Sequence, residues 1–235
     1  MRYMSLLGMV VLLGIAWAMS NNKKHINMRT VVVGIGLQII LGAILLGWEP
    51  GRNGFQYFSN GVASFLSLSD TGSSFLFGNL ANDKHFFTDG KFWPGFGFQF
   101  AFKVLPTIIF FSAFMAVLYY LGIMQILVRF MAKFMRKALG TSGSETLSVS
   151  ANIFVGQTEA PLLIRPFLKG MTRSELLTVM VGGFATVAGG VLAGYMGMGI
   201  DPGHLIVASV MSAPAALVIG KIIYPETEES ETSGD

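Results

Sequence analysis

The stretch "NIFVGQTEAPLLIRP", residues 152–166, sets Asn152, Gln157, Thr158 and Glu159 among Ile153, Phe154, Leu162 and Leu163, and interrupts the backbone with Gly156 and Pro161. Gln157 carries two donors and two acceptor lone pairs, and Glu159 only accepts when ionised. Together they can read a flat, heteroatom-rich solute such as a nucleobase. Two half-helices meeting at Gly156–Pro161 would add free carbonyls from one end, which suit a small cation. Free N–H groups from the other end suit an anion or a polar ligand. A lone Gln or Thr in a membrane helix usually only bonds a neighbouring helix. Four polar residues in eight positions, with a carboxylate and two breakers, ask for more than that.

The rest of the chain makes this stretch costly. Of 235 residues 52% are hydrophobic and 12% charged, with 20 Phe and a mean hydropathy of +0.61. A soluble domain carries about 25% charged residues, so this composition is that of an integral membrane protein. With no cysteine, disulfides and thiolate metal sites are excluded. His25, His85 and His204 lack metal-ligand spacing. Its net charge of +3 acts through its distribution, so basic patches read as topology rather than nucleic-acid binding.

A bilayer core takes roughly 20 apolar residues per helix. Residues 4–20, 31–48, 98–124 and 204–223 satisfy this, and 174–198 does so with many glycines. The first run has the flanks of a secretory signal, yet it continues to Lys23 and Lys24 as a stop-transfer pattern, so it is expected to be a retained helix. In 145–168 the apolar runs on either side of Gly156–Pro161 are each too short to cross. If that segment dips in and returns, eleven Lys and Arg fall inside and four outside. If it crosses, the split is seven to eight. The positive-inside rule selects a re-entrant hairpin entered from the cytoplasm.

Other segments follow from local pattern. Phe55, Phe58, Val62, Phe65 and Leu66 share a face of 51–68, an expected interfacial helix at the outer surface. In 125–139, Arg129, Lys133, Arg136 and Lys137 share one face and Leu127, Phe130, Phe134 and Ala138 the other. That is a basic amphipathic helix expected at anionic lipid on the cytoplasmic side, ended by Gly140. Ser142-Gly143-Ser144-Glu145 has capping-box spacing and starts the hairpin. Pro106 is placed to kink the third membrane helix, 70–97 reads as a structured loop, and "PETEESETSGD" as a solvated acidic tail or linker. Gly182, Gly183, Thr186, Gly189, Gly190 and Gly194 read either as close-packing contacts between helices or as a second break, where a turn unwinds after Thr186.

"ANIFVGQTEAPLLIRPF", "GGFATVAGGVLAGY", "LLGMVVLLGIAW" and "FKVLPTIIFFSAFMAVLYYLG" resemble the concentrative nucleoside transporters, and the resemblance runs to about Pro225. It implies an all-α polytopic membrane protein, half of an inverted-repeat transporter, with transmembrane helices, a re-entrant hairpin and interfacial helices. Scaffold helices would occupy 1–124, the basic connector 125–144, the first transport-domain repeat 145–223 and the acidic tail 224–235. The resemblance further implies that Gln157, Thr158, Glu159 and Val191 contact the nucleoside base. Asn152, Val155, Thr186 and Val187 would surround a coupling sodium ion, the Thr186 hydroxyl leaning toward sodium over a proton. It implies a homotrimer in the inner (cytoplasmic) membrane, in contact with lipid, with no cofactor beyond the coupling ion. Whole members carry a second repeat that this chain lacks, so the chain is not expected to transport alone.

Two other function classes stand beside this one. An intramembrane enzyme using Glu159 as base would need a second titratable or nucleophilic group in reach, and the membrane segments supply only His204, near a helix end. A non-catalytic membrane subunit that completes its pocket with a second chain is the alternative. The hairpin topology is directly testable because the chain has no native thiol. Single cysteines replacing Arg165 and Lys169 should react with an impermeant maleimide in inside-out vesicles and stay unlabelled in right-side-out ones.

Overall fold

The computed structural model describes residues 2–81 and 98–230. Among these the chain is helical: α1 (Arg2–Ala18), α2 (Met28–Gly42), α3 (Glu49–Leu66), α4 (Leu68–Phe77), α5 (Phe100–Tyr120), α6 (Ile123–Leu139), α7 (Gly143–Asn152), α8 (Ala160–Leu163), α9 (Arg173–Ala185), α10 (Gly189–Gly197) and α11 (Pro202–Ile223). Three stretches are long and apolar enough to cross a membrane: Phe100–Tyr120, Arg173–Gly197 with its internal break, and Pro202–Ile223. Leu7–Ala18 and Met28–Gly42 are shorter apolar helices. The chain forms two compact units.

One unit comprises Met1–Ala43, Gln125–Val187 and Ser209–Asp235. Its core joins Ala16, Met135, Leu139, Val149, Ile153 and the α11 residues Ala213, Ala216, Leu217, Val218 and Ile222. Small residues let the helices meet. A Cβ on Gly220 of α11 would lie 2.6 Å from the Thr178 hydroxyl and 2.9 Å from its Cα, so α9 and α11 touch backbone to backbone. The α6 helix ends at Gly140, whose φ of +70° suits a residue without Cβ. Its arrangement departs from the two-faced expectation. Val128, Ala132, Met135 and Leu139 are buried, whereas Phe130 and Phe134 of the expected apolar face are 71% and 56% exposed. The helix therefore has three faces: packed, basic and bare apolar.

Two capping boxes start the neighbouring helices. The Ser142 N–H donates to Glu145 Oε1 at 2.9 Å, as the spacing predicts. The same device opens α9, where the Thr172 N–H donates to Glu175 Oε2 at 2.9 Å and the Glu175 N–H to Thr172 Oγ1 at 3.2 Å. Both glutamates are buried. Lys221, in the last turn of α11, pairs with Glu145: its Nζ lies 2.9 Å from Glu145 Oε2, 3.0 Å from Glu226 Oε2 and 3.1 Å from Ser174 Oγ. The start of the acidic tail is thus not wholly solvated. Glu226 also accepts from Thr172 Oγ1, and Ser230 bonds Glu175.

The other unit comprises Ile44–Met124 and Ala188–Ala208. Here α3 supplies a helix over the expected stretch, with Ser59 and Leu66 on its buried face and Phe58 turned outward. Phe65 packs on Phe110 and Phe114 of α5 at centroid distances of 5.1 and 4.4 Å. The expected loop from residue 70 is instead helix α4 as far as Phe77, with a 3-10 turn over Gly78–Ala81. Its Ser69 hydroxyl finds Thr107 of α5 at 3.0 Å, which ties its first turn down. The rest of that expected loop, 82–97, lies outside the described residues. Pro106 sits inside an uninterrupted α5.

Because Lys221 and Glu145 are buried together, removing one partner strands the other. Lys221→Met should lower stability by roughly 3–5 kcal/mol, read as a fall in the thermal midpoint in detergent. Adding Glu145→Gln should recover part of that loss.

Candidate functional site

The site grows from the C-terminal end of α7. This helix is buried along its length although it carries Ser144, Thr146, Ser148, Ser150 and Asn152. It stops at Asn152, and the chain from Ile153 to Glu159 follows turns before the single turn of α8. The expected second half-helix is not there: after the break come four helical residues and then turns to Gly170. Pro161 and Pro166 each remove an N–H, and pieces this short do not propagate a helix. The N–H groups expected from a second helix end are therefore not part of the site.

Within the break, several backbone groups are satisfied locally. The N–H groups of Phe154 and Val155 both reach the Ala151 carbonyl at 3.0 Å, and those of Glu159 and Ala160 reach the Gly156 carbonyl at 3.0 Å. Ser209 of α11 donates its hydroxyl to the Ile153 carbonyl at 3.0 Å. The Glu159 carboxylate folds back, its Oε2 accepting from the Gly156 N–H at 3.2 Å. This fixes the carboxylate and leaves Oε1 free to accept from a ligand.

The seven residues expected at the site that belong to this unit divide by exposure. Gln157, Thr158 and Glu159 are exposed. Asn152 is 0% exposed, Val155 is buried, and neither the Nδ2 nor the Oδ1 of Asn152 has a hydrogen-bond partner. A buried amide left unpaired costs about 1–3 kcal/mol. Thr186 and Val187 follow α9 where it ends in extended backbone, and Thr186 Oγ1 donates to the Gly182 carbonyl at 2.8 Å. A Cβ on Gly182 would stand 2.8 Å from Val149 Cγ2 and 3.6 Å from Asn152 Nδ2, and one on Gly183 would stand 3.3 Å from the Gln157 Cβ. The last turn of α9 therefore lies directly against the Asn152–Gln157 break. Val191 belongs to the other unit, on the first turn of α10, 44% exposed.

Asn152 Oδ1, the Val155 and Val187 carbonyls and the Thr186 hydroxyl are all neutral oxygens. Such donors suit a hard monovalent cation stripped of water, as carbonyl-lined ion sites do. Gln157 and Glu159 offer donors and a fixed acceptor for a polar ligand. Two supports escaped the reading of the sequence: Ser209, which nothing in the pattern marks, and the Thr172–Glu175 box, whose "TRSE" spacing was legible. Gly182→Ala should cost about 1–3 kcal/mol by overpacking, measured as thermal unfolding in detergent. Gly36→Ala, where nothing lies within 4 Å, is the neutral comparison.

Known proteins resemble this chain in sequence and fold. Residues 7–80 match the family described as Na+ dependent nucleoside transporter N-terminus, and residues 101–201 match Gate, nucleoside recognition. Sodium/nucleoside cotransporter 1 of Rattus norvegicus is 48% identical over 98% of this chain and 33% of its own length. Nucleoside permease NupC of Helicobacter pylori is 47% identical over 98% of this chain and 54% of its own. A solved structure of CNTnw, described as an inward-facing substrate-bound state, superposes with a TM-score of 0.90 at 48% identity, covering 97% of this chain and 54% of that one. The chain spans about half the length of the bacterial relatives it matches and a third of the mammalian ones. It is a membrane protein and belongs to the concentrative nucleoside transporter family.

Proposed function

We propose that this chain holds the ion- and base-gripping half of a carrier that takes nucleosides up across the cytoplasmic membrane, coupled to sodium. The observation that carries the reading is a fully buried, partnerless Asn152 beside the exposed run Gln157-Thr158-Glu159. Asn152, Val155, Thr186 and Val187 hold the sodium ion through neutral oxygens. Their lack of a titratable group favours sodium over a proton as the coupling ion. Gln157 and Glu159 hydrogen-bond the nucleobase edge, with Thr158 beside them. Ion binding stiffens the same turn that presents Gln157, which links the two ligands energetically. The break and the end of α9 move together between the two faces of the membrane, carrying the site with them. Assembly as a homotrimer belongs to this reading and rests on the family resemblance.

The relatives' additional length suggests that the other walls of the pocket come from a second half. Vesicles containing only these 235 residues should not accumulate labelled uridine. Joined to the C-terminal half of the Helicobacter pylori relative, the chain should accumulate it in sodium chloride but not in choline chloride. In that chimera Glu159→Gln should lower uptake by about 12- to 150-fold, the worth of one hydrogen bond to a charged group. Uptake independent of sodium, or unchanged by Glu159→Gln, would refute the assignment.

A further inference from the structure

A second cavity, of about 430 Å³, lies between α6 and the start of α7, away from the Asn152–Glu159 break. Arg129, Lys133 and Arg136 line it on one side, Ser144 at the N-terminal turn of α7 on another, and Leu147 and Phe167 close it with apolar surface. Among the described residues no carboxylate pairs with these three cations. The nearest acid in sequence to the cavity wall, Glu145, is turned to Lys221. Beside the cations on α6 runs its bare apolar face, with Ile126 and Phe130 each 71% exposed and Phe134 56%.

We propose that this cavity binds the phosphate headgroup of an anionic phospholipid from the cytoplasmic leaflet. Three features select a lipid over a soluble anion. The guanidinium groups of Arg129 and Arg136 match phosphate oxygens geometrically, and Lys133 adds a point charge. The partial positive charge at the start of a ten-residue helix favours the same anion. The apolar wall and the adjoining exposed phenylalanines then accept acyl chains, which a free phosphate would leave uncovered. A soluble acidic protein would use the cations and leave that apolar face bare. A bound lipid would fasten α6 to the bilayer surface while α7, which it leads into, remains packed within its own unit. The proposal depends on the chain sitting in a membrane and not on its transporting anything.

The test is native mass spectrometry of the purified 235-residue chain in detergent with added phosphatidylglycerol or phosphatidylcholine. The wild type should retain phosphatidylglycerol and not phosphatidylcholine, and 10 mM inorganic phosphate should not displace it. Arg129→Gln/Lys133→Gln/Arg136→Gln should weaken retention about tenfold or more, since each basic residue near an anionic surface contributes several-fold. Lys24→Gln/Arg29→Gln/Lys169→Gln removes the same charge from exposed positions outside the cavity and should change retention less than twofold. If the cavity triple does not fold, Lys133→Gln alone should still weaken retention about threefold. Equal losses in both triples, equal retention of both lipids, displacement by inorganic phosphate, or preferential capture of a soluble polyglutamate peptide would each overturn the proposal.

Discussion

A backbone break in a solvent that offers no hydrogen bonds has to be satisfied by protein, or it does not persist. The stretch 153–159 meets that requirement with few parts. The Ala151 and Gly156 carbonyls each take two N–H groups, Glu159 caps Gly156, and Ser209 reaches in from α11 to the Ile153 carbonyl. Once these are counted, Asn152 stands out because both ends of its amide go unanswered at full burial. That open amide is the observation on which the proposed ion site rests.

The same economy operates at the other end of α7 and α9. Each helix starts with a glutamate that closes a capping box, and both glutamates are buried. Two buried carboxylates would repel and resist burial; Lys221, with Glu226, Ser174 and Thr172, binds them into one network. Breaking such a pair is costly even where forming it gains little. Its effect is to fix where α7 and α9 begin relative to α11. Gly182 and Gly220 then allow the helices to close to backbone contact further along. The ion network at one end and the small residues in the middle hold the last turn of α9 against Asn152 and Gln157.

Much of this was legible because it is written in local pattern. The break at Gly156, the unwinding after Thr186, the Ser142–Glu145 box and the stop at Gly140 all follow from residue types at fixed spacing. What escaped depends on tertiary partners. Helix α4 was read as loop because its sequence, "LSDTGSSFLF", is rich in turn formers; Ser69 and Ser73 are buried within it. The second arm of the hairpin was read as a helix from its apolar residues, and the spacing of Pro161 and Pro166 prevents one. On α6 the two-faced reading lacks the third face, since Val128, Ala132, Met135 and Leu139 pack along a strip that belongs to neither expected face. Ser209 carried no signal, because a serine in a membrane helix is ordinary until its partner is known.

The buried amide, the exposed Gln157–Glu159 run and the membership of the concentrative nucleoside transporter family are the support for our proposal that a small cation sets the turn that meets the nucleobase. The most direct measurement is the thermal midpoint of the purified chain in sodium chloride against choline chloride at equal ionic strength, for wild type and for Asn152→Leu. At sodium about ten times its dissociation constant, specific binding stabilises by about 1.4 kcal/mol, a shift of about 3–6 °C for a chain of this size. The account predicts that shift in the wild type and its absence in Asn152→Leu. A sodium effect of equal size in both proteins, or none in either, would contradict it.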